Sequence, residues 1–267
     1  MSALGFDLAR VNNNIVSVQS FQPEGASPFL QTLQRLQGIE VSLSDSELSE
    51  RLDFDTVSDA QARLWAKMRA THDVPLPPPT QYSSSERVHI ERQLISALEL
   101  LDRVDHSLRT VVELLVGRIL IGRIESIRSA SIASSLGVIW LCPPPDWSTA
   151  DYAEHLLHEA THQELLLDDM VNALFLLDRR EMRESIDSHV KSTIRGTRRS
   201  YFVAFHAAVV ALQLALFYDK LGDVQKRDGF VAALGEGFSE LESGRQLLSV
   251  TGKDRLDRSV ECFRSVA

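Results

Sequence analysis

Cysteine is nearly absent from this chain: 267 residues carry two thiols, Cys142 and Cys262. Two distant cysteines make neither a disulfide framework nor a thiolate zinc site, so free thiols in the reducing cytoplasm are expected. Positive charge is also in deficit. Twenty-eight Lys and Arg face 37 Asp and Glu, a net charge of −9. Such a surface is a poor match for nucleic acid or an anionic membrane, and neither is expected as a partner. Met1 to Asn14 lack the basic-then-apolar pattern of a secretory signal. No internal repeat or low-complexity tract is present. One long apolar run occurs, the eighteen residues from Tyr201 to Tyr218. It nearly matches a bilayer core in length, but His206 and Gln213 lie inside it. A helix buried on all sides of a domain is the expected reading, with no membrane span.

Residues 1–40 are weakly patterned. Leu43 to Leu48 read as a cap, opening a helix to about Arg69 with Leu48, Leu52, Ala60 and Leu64 on one stripe. Pro75, Pro77, Pro78 and Pro79 make 72–82 an extended connector. Ser83 to Glu86 then open a long helical pattern to about Arg128, and Ser129 to Cys142, rich in Ile, Val and Ser, read as a hairpin. Ser148 fits an N-cap with Asp151 three residues on, and Trp147 and Tyr152 occupy staple positions. That helix runs to about Leu167 or beyond. Further helices are expected near 178–192, 200–219, 223–242 and 254–264. The fold class is therefore mainly α: a single mostly helical domain, with a small β-hairpin element preceding the helix that starts at Ser148. Residues 1–85 form an N-terminal helical and extended region, a candidate peptide-docking arm. Residues 86–267 form the catalytic domain.

That helix contains His158-Glu159-Ala160-Thr161-His162, an H-E-x-x-H. Imidazoles four residues apart on a helix project from one face and can share one metal ion. The pentad serves two chemistries. In a zinc peptidase Glu159 is the general base for metal-bound water. In an iron oxygenase the same pair holds Fe(II), and Glu159 orients substrate. His155, one turn earlier, fits a supporting role rather than ligation. The third ligand discriminates. Leu165 and Asp168 stand where a metzincin has Gly and His, so that class fails. A thermolysin-like peptidase takes a Glu about twenty residues past the second His; Glu181 and Glu184 lie near that place. The other candidate is His206, inside Phe202 to Val210, where an imidazole needs a partner.

Arg199 lies seven residues before His206. On one helix both would project from the same face, about 10 Å apart along the axis. That spacing suits 2-oxoglutarate, whose keto acid end chelates iron while its far carboxylate takes a guanidinium fork. Arg195 continues the stripe and Arg198 points sideways. Basic residues at a helix N-terminus oppose the dipole, a misfit that favours a bound anion.

These residues resemble the H-E-x-x-H-motif iron(II)/2-oxoglutarate-dependent peptide β-hydroxylases that modify ribosomally made peptides. The likeness covers about residues 125–220: the Ser-rich segment Ser129–Leu141, Leu156 to His162, an Arg-bearing segment, then Phe205-His206-Ala207. It implies His158, His162 and His206 as iron ligands, and an arginine among Arg195, Arg198 and Arg199 holding 2-oxoglutarate. O₂ would be the oxidant and a precursor peptide the substrate. A zinc(II) hydrolase and a non-catalytic helical binding module remain as alternatives. Whether the chain forms a homo-oligomer is left open.

Overall fold

The computed structural model describes residues 6–20, 28–72, 75–193 and 197–267. It is mainly α, 65% helical with short strands, as expected. The chain divides into two compact units, Leu8–Leu166 and Leu167–Ala267, with Phe6 and Asp7 joining the second. The division falls inside a long helix rather than in the proline-rich segment.

The first unit begins with α1 (Leu8–Gln19) and α2 (Phe29–Gln37). The single helix expected from Leu48 to Arg69 is instead one turn, α3 (Leu48–Arg51), a short strand β1 (Leu52–Asp53), and α4 (Asp59–Arg69). Aspartates explain the break. Asp53 Oδ1 accepts from the Asp55 N–H at 3.0 Å, and Asp55 Oδ1 accepts from the Val57 and Ser58 N–H groups at 2.8 and 3.1 Å. Such local bonds give the backbone an alternative to helix.

The long helix expected from Ser83 to Arg128 also divides. The Ser83/Glu86 capping box opens α5 (Ser84–Val104), and Asp105 ends it while capping α6 (His106–Leu115) through the Ser107 N–H at 2.8 Å. Beyond α6 the chain turns to strand: β2 (Arg118–Ile121), then β3 (Ser129–Ala130) and β4 (Val138–Leu141). The expected hairpin is β3 antiparallel to β4, but it belongs to a four-stranded sheet of order β1-β2-β4-β3. β1, β2 and β4 run parallel. The strand run Ile119 to Ile121 and all of β4 are fully buried. A sheet covered on both faces gives continuous apolar runs rather than alternation. Asp53 pins this sheet, accepting from Arg118 at 2.9 Å and from Gln61 on α4 at 2.8 Å.

Gly137 enters β4 at φ +88, a backbone state that favours glycine, and a Cβ there would strike Leu43 at 2.7 Å. The last element of this unit is α7 (Thr149–Asn172), which continues across the division after Leu166.

In the second unit the helix expected over 178–192 is only α8 (Arg179–Glu184), followed by a 3-10 turn and β5 (His189–Lys191). β5 pairs antiparallel with β6 (Arg198–Ser200). Next come α9 (Tyr201–Leu221), α10 (Val224–Ser243) and α11 (Val250–Arg264). α9 packs along α10 and also meets α8, α11, β5 and β6. It is apolar and long enough to cross a membrane, but 89% of its most apolar window is buried within the protein. It is the core helix of its unit.

Candidate metal centre

The start of α7 is fixed by its own letters. The Ser148 N–H donates to Asp151 Oδ2 at 2.9 Å, and Asp151 N–H donates back to Ser148 Oγ at 3.3 Å. An aspartate closes the capping box as a glutamate would. Trp147 meets Tyr152 edge to face at 5.1 Å, forming the staple. The helix is then locked to the sheet from its interior side. Gln163 accepts from Gly137 N–H at 2.7 Å and donates to the Val138 carbonyl at 3.1 Å. Leu156, Leu157, Ala160 and Leu165 are fully buried around it.

With that face buried, His158 and His162 stay half-buried, their ring centroids 4.9 Å apart and tilted 68°. The two imidazoles thus lie one turn apart on one face of α7, as their spacing predicts. His155 extends the row, 6.2 Å from His158. Its ring is stacked on Trp147 at 4.2 Å, and its Nδ1 lies 2.8 Å from Ser129 Oγ on β3. Sheet and helix therefore hold it in place, as suits a supporting residue.

Glu159 is 1% exposed. Its Oε1 lies 3.9 Å from His158 Nε2, while its Oε2 is buried without a hydrogen-bond partner. A buried carboxylate oxygen left unbonded costs about 1–3 kcal/mol or more. Folding tolerates that cost beside the ring nitrogen of the clamp. A cation or a metal-bound water there would supply the missing interaction, so the residues on α7 fit a metal. They supply two imidazole donors, with the Glu159 carboxylate beside His158 rather than as a third ligand. Among the described residues no three His, Cys, Asp or Glu side chains form a group able to hold an ion.

The other residues singled out from the sequence lie in the second unit. His206 is buried on α9, its ring 4.3 Å from that of Phe202. Burial pushes its pKa down to about 3, and the charges of Arg179 and Arg255 add to the shift. The ring is neutral at any physiological pH, the form in which imidazole binds metals. Arg179 sits over the Phe202 ring at 4.7 Å and donates to Asp169 at 3.0 Å.

Arg199 is not on α9. It lies in β6 opposite Val190, so the shared helical face with His206 does not exist. Arg198, on the same strand, is exposed and donates to the His189 carbonyl. Arg195 and Gly196 lie outside the described residues. The two glutamates of the peptidase reading have local duties. Glu181 closes the capping box of α8, accepting from the Asp178 N–H at 2.9 Å, and Glu184 pairs with Arg180 at 2.8 Å. Both are exposed.

Sequence reasoning missed Arg179 and Arg255 as neighbours of His206. Arg255 had a signal. It occupies the buried stripe of α11 formed by Gly252, Arg255, Leu256 and Ser259. An arginine at an apolar-stripe position is either paired in the core or used there. No family model matches the chain, and no curated protein matches it.

Proposed function

We propose that the chain is a metal-dependent enzyme, an iron(II)/2-oxoglutarate oxygenase that hydroxylates a β-carbon in a ribosomally made peptide. The observation that carries the metal is the His158/His162 pair on α7 with the unbonded carboxylate of Glu159 beside it. His158 and His162 would hold the iron; His206 as a third imidazole is what the family resemblance implies. Support for His206 is chemical, a buried ring kept neutral. Iron(II), 2-oxoglutarate and O₂ together supply the oxidation of an unactivated C–H bond, for which no general base is needed.

The preference for oxidation over hydrolysis rests on the family resemblance. Arg199 is the candidate for the far carboxylate of 2-oxoglutarate. Glu159 would orient substrate and exclude stray water. The precursor peptide and a cytoplasmic setting belong to the same proposal.

A zinc hydrolase is the second reading, favoured by Glu159 alone: a carboxylate 3.9 Å from His158 Nε2 would serve as a general base. One assay separates the two. Purified protein given Fe(II), 2-oxoglutarate and O₂ should release succinate, and Glu159→Gln should slow but not abolish it. Absence of succinate with a range of peptides, together with zinc-dependent peptide cleavage lost in Glu159→Gln, would overturn the oxygenase in favour of the hydrolase.

A further inference from the structure

The unit Leu8–Leu166 also holds a concave feature away from α7. A cleft of about 300 Å³ is lined by residues of α3, the middle of α5 and α6. That is the small end of the range for ligand sites, about 300–1,000 Å³. Its floor is aliphatic, with Leu98 and Val112 buried. Ile95 on its wall leaves 42% of its surface exposed, at a helix position where a polar residue is ordinary.

The cations of the cleft are already committed. Arg51 is buried and donates to the carbonyls of Ser46, Glu113 and Val116 at 2.7, 2.8 and 2.8 Å. Arg109 pairs with Glu113 at 2.8 Å. The carboxylates of Glu47 and Glu99 are not committed. Both are exposed, and neither forms an ion pair or side-chain hydrogen bond with a described residue; Glu99 acts on Arg109 only through its field. The cleft therefore presents an apolar floor beneath two open negative charges.

We propose that this cleft binds a peptide segment carrying aliphatic side chains beside Lys or Arg. The argument is charge complementarity over an apolar floor: one or two aliphatic side chains fill the depression while a basic neighbour meets Glu47 or Glu99. A chain of net charge −9 also steers such a segment toward it. The cleft is separate from the clamp on α7 and stands whichever metal reaction the chain performs. In a peptide-modifying enzyme it would hold substrate away from the residue being changed.

The test uses the full chain and a fluorescein-labelled octapeptide of alternating Leu and Lys, read by anisotropy at physiological salt. Two control peptides carry Ser for Leu or Glu for Lys. The expected result is binding at least about tenfold tighter than either control, weakened about tenfold by Ile95→Asn and by Glu47→Lys/Glu99→Lys. These positions are exposed, so the variants should melt as the parent does. Hydrogen exchange on the parent should show peptide-dependent protection at 46–51 and 95–99, which keeps the test valid if a variant misfolds. Equal binding of the Ser control would mean attraction of any polycation and would overturn the proposal. So would equal binding by folded variants, or protection confined to other segments.

Discussion

Helices α7 and α9 differ in what they bury. α9 buries an unbroken run from Ala204 to Tyr218, and apart from His206 and Gln213 apolar packing explains it. α7 buries Glu159, Gln163, Glu164 and Asp168 among its leucines while its two clamp histidines stay half-buried. Apolar burial stabilises a helix without further conditions. Burial of charge destabilises it unless a partner is present, and Glu159 Oε2 has none. The contrast sets α7, with its buried carboxylates, apart from α9, where His206 and Gln213 depart from apolar packing.

The sharpest way to break this contrast is at the clamp. His158→Ala and His162→Ala should each lower metal affinity by about a hundredfold or more while leaving the melting temperature of the metal-free protein nearly unchanged, since neither ring is core. Metal binding by the double variant equal to that of the parent would remove α7 from the site. A smaller effect is expected at Gln163, whose amide ties α7 to β4 through two buried bonds. Gln163→Leu should leave the Gly137 N–H and Val138 carbonyl unsatisfied and cost about 2–4 kcal/mol in chemical denaturation. A loss below about 0.5 kcal/mol would show that the sheet does not hold the helix through this side chain.

His206 offers a test by pH. Its folded pKa, near 3, lies below the ordinary 6.5. Between those values the unfolded chain binds a proton that the folded chain refuses. This contribution to stability is therefore complete above about pH 6.5 and is lost progressively as pH falls toward 3. Replacing the ring by His206→Gln should flatten the acid limb of the stability profile measured without metal. An unchanged limb would show that the imidazole is not held neutral. The smallest effect concerns Glu159. Glu159→Gln removes a buried charge and should leave the metal-free protein as stable or more stable by about 1 kcal/mol. A clear loss of stability would mean that the carboxylate is structural.

Particular residues show where the sequence was legible. Trp147, Ser148, Asp151 and Tyr152 announced the start of α7 because capping is local chemistry, complete within six residues. The largely apolar run of eighteen residues from Tyr201 announced α9 by length. β2 was hidden because Val116 to Ile121 continue the apolar content of α6, and a short buried strand has no periodicity of its own. Arg199 was misplaced for a related reason: its strand exists only because β5 lies opposite, a pairing that local spacing does not encode. The clamp was legible as a motif. The unbonded oxygen of Glu159 and the arginines near His206 were not, since both follow from packing between distant segments.

The most direct measurement is an anaerobic titration of the metal-free protein with Fe(II), with and without 2-oxoglutarate, read by bound iron and visible absorption. The account predicts one iron per chain, tighter binding and a weak charge-transfer band when 2-oxoglutarate is present, and loss of both in His162→Ala. Iron binding that is substoichiometric, indifferent to 2-oxoglutarate and unchanged in His162→Ala would contradict it.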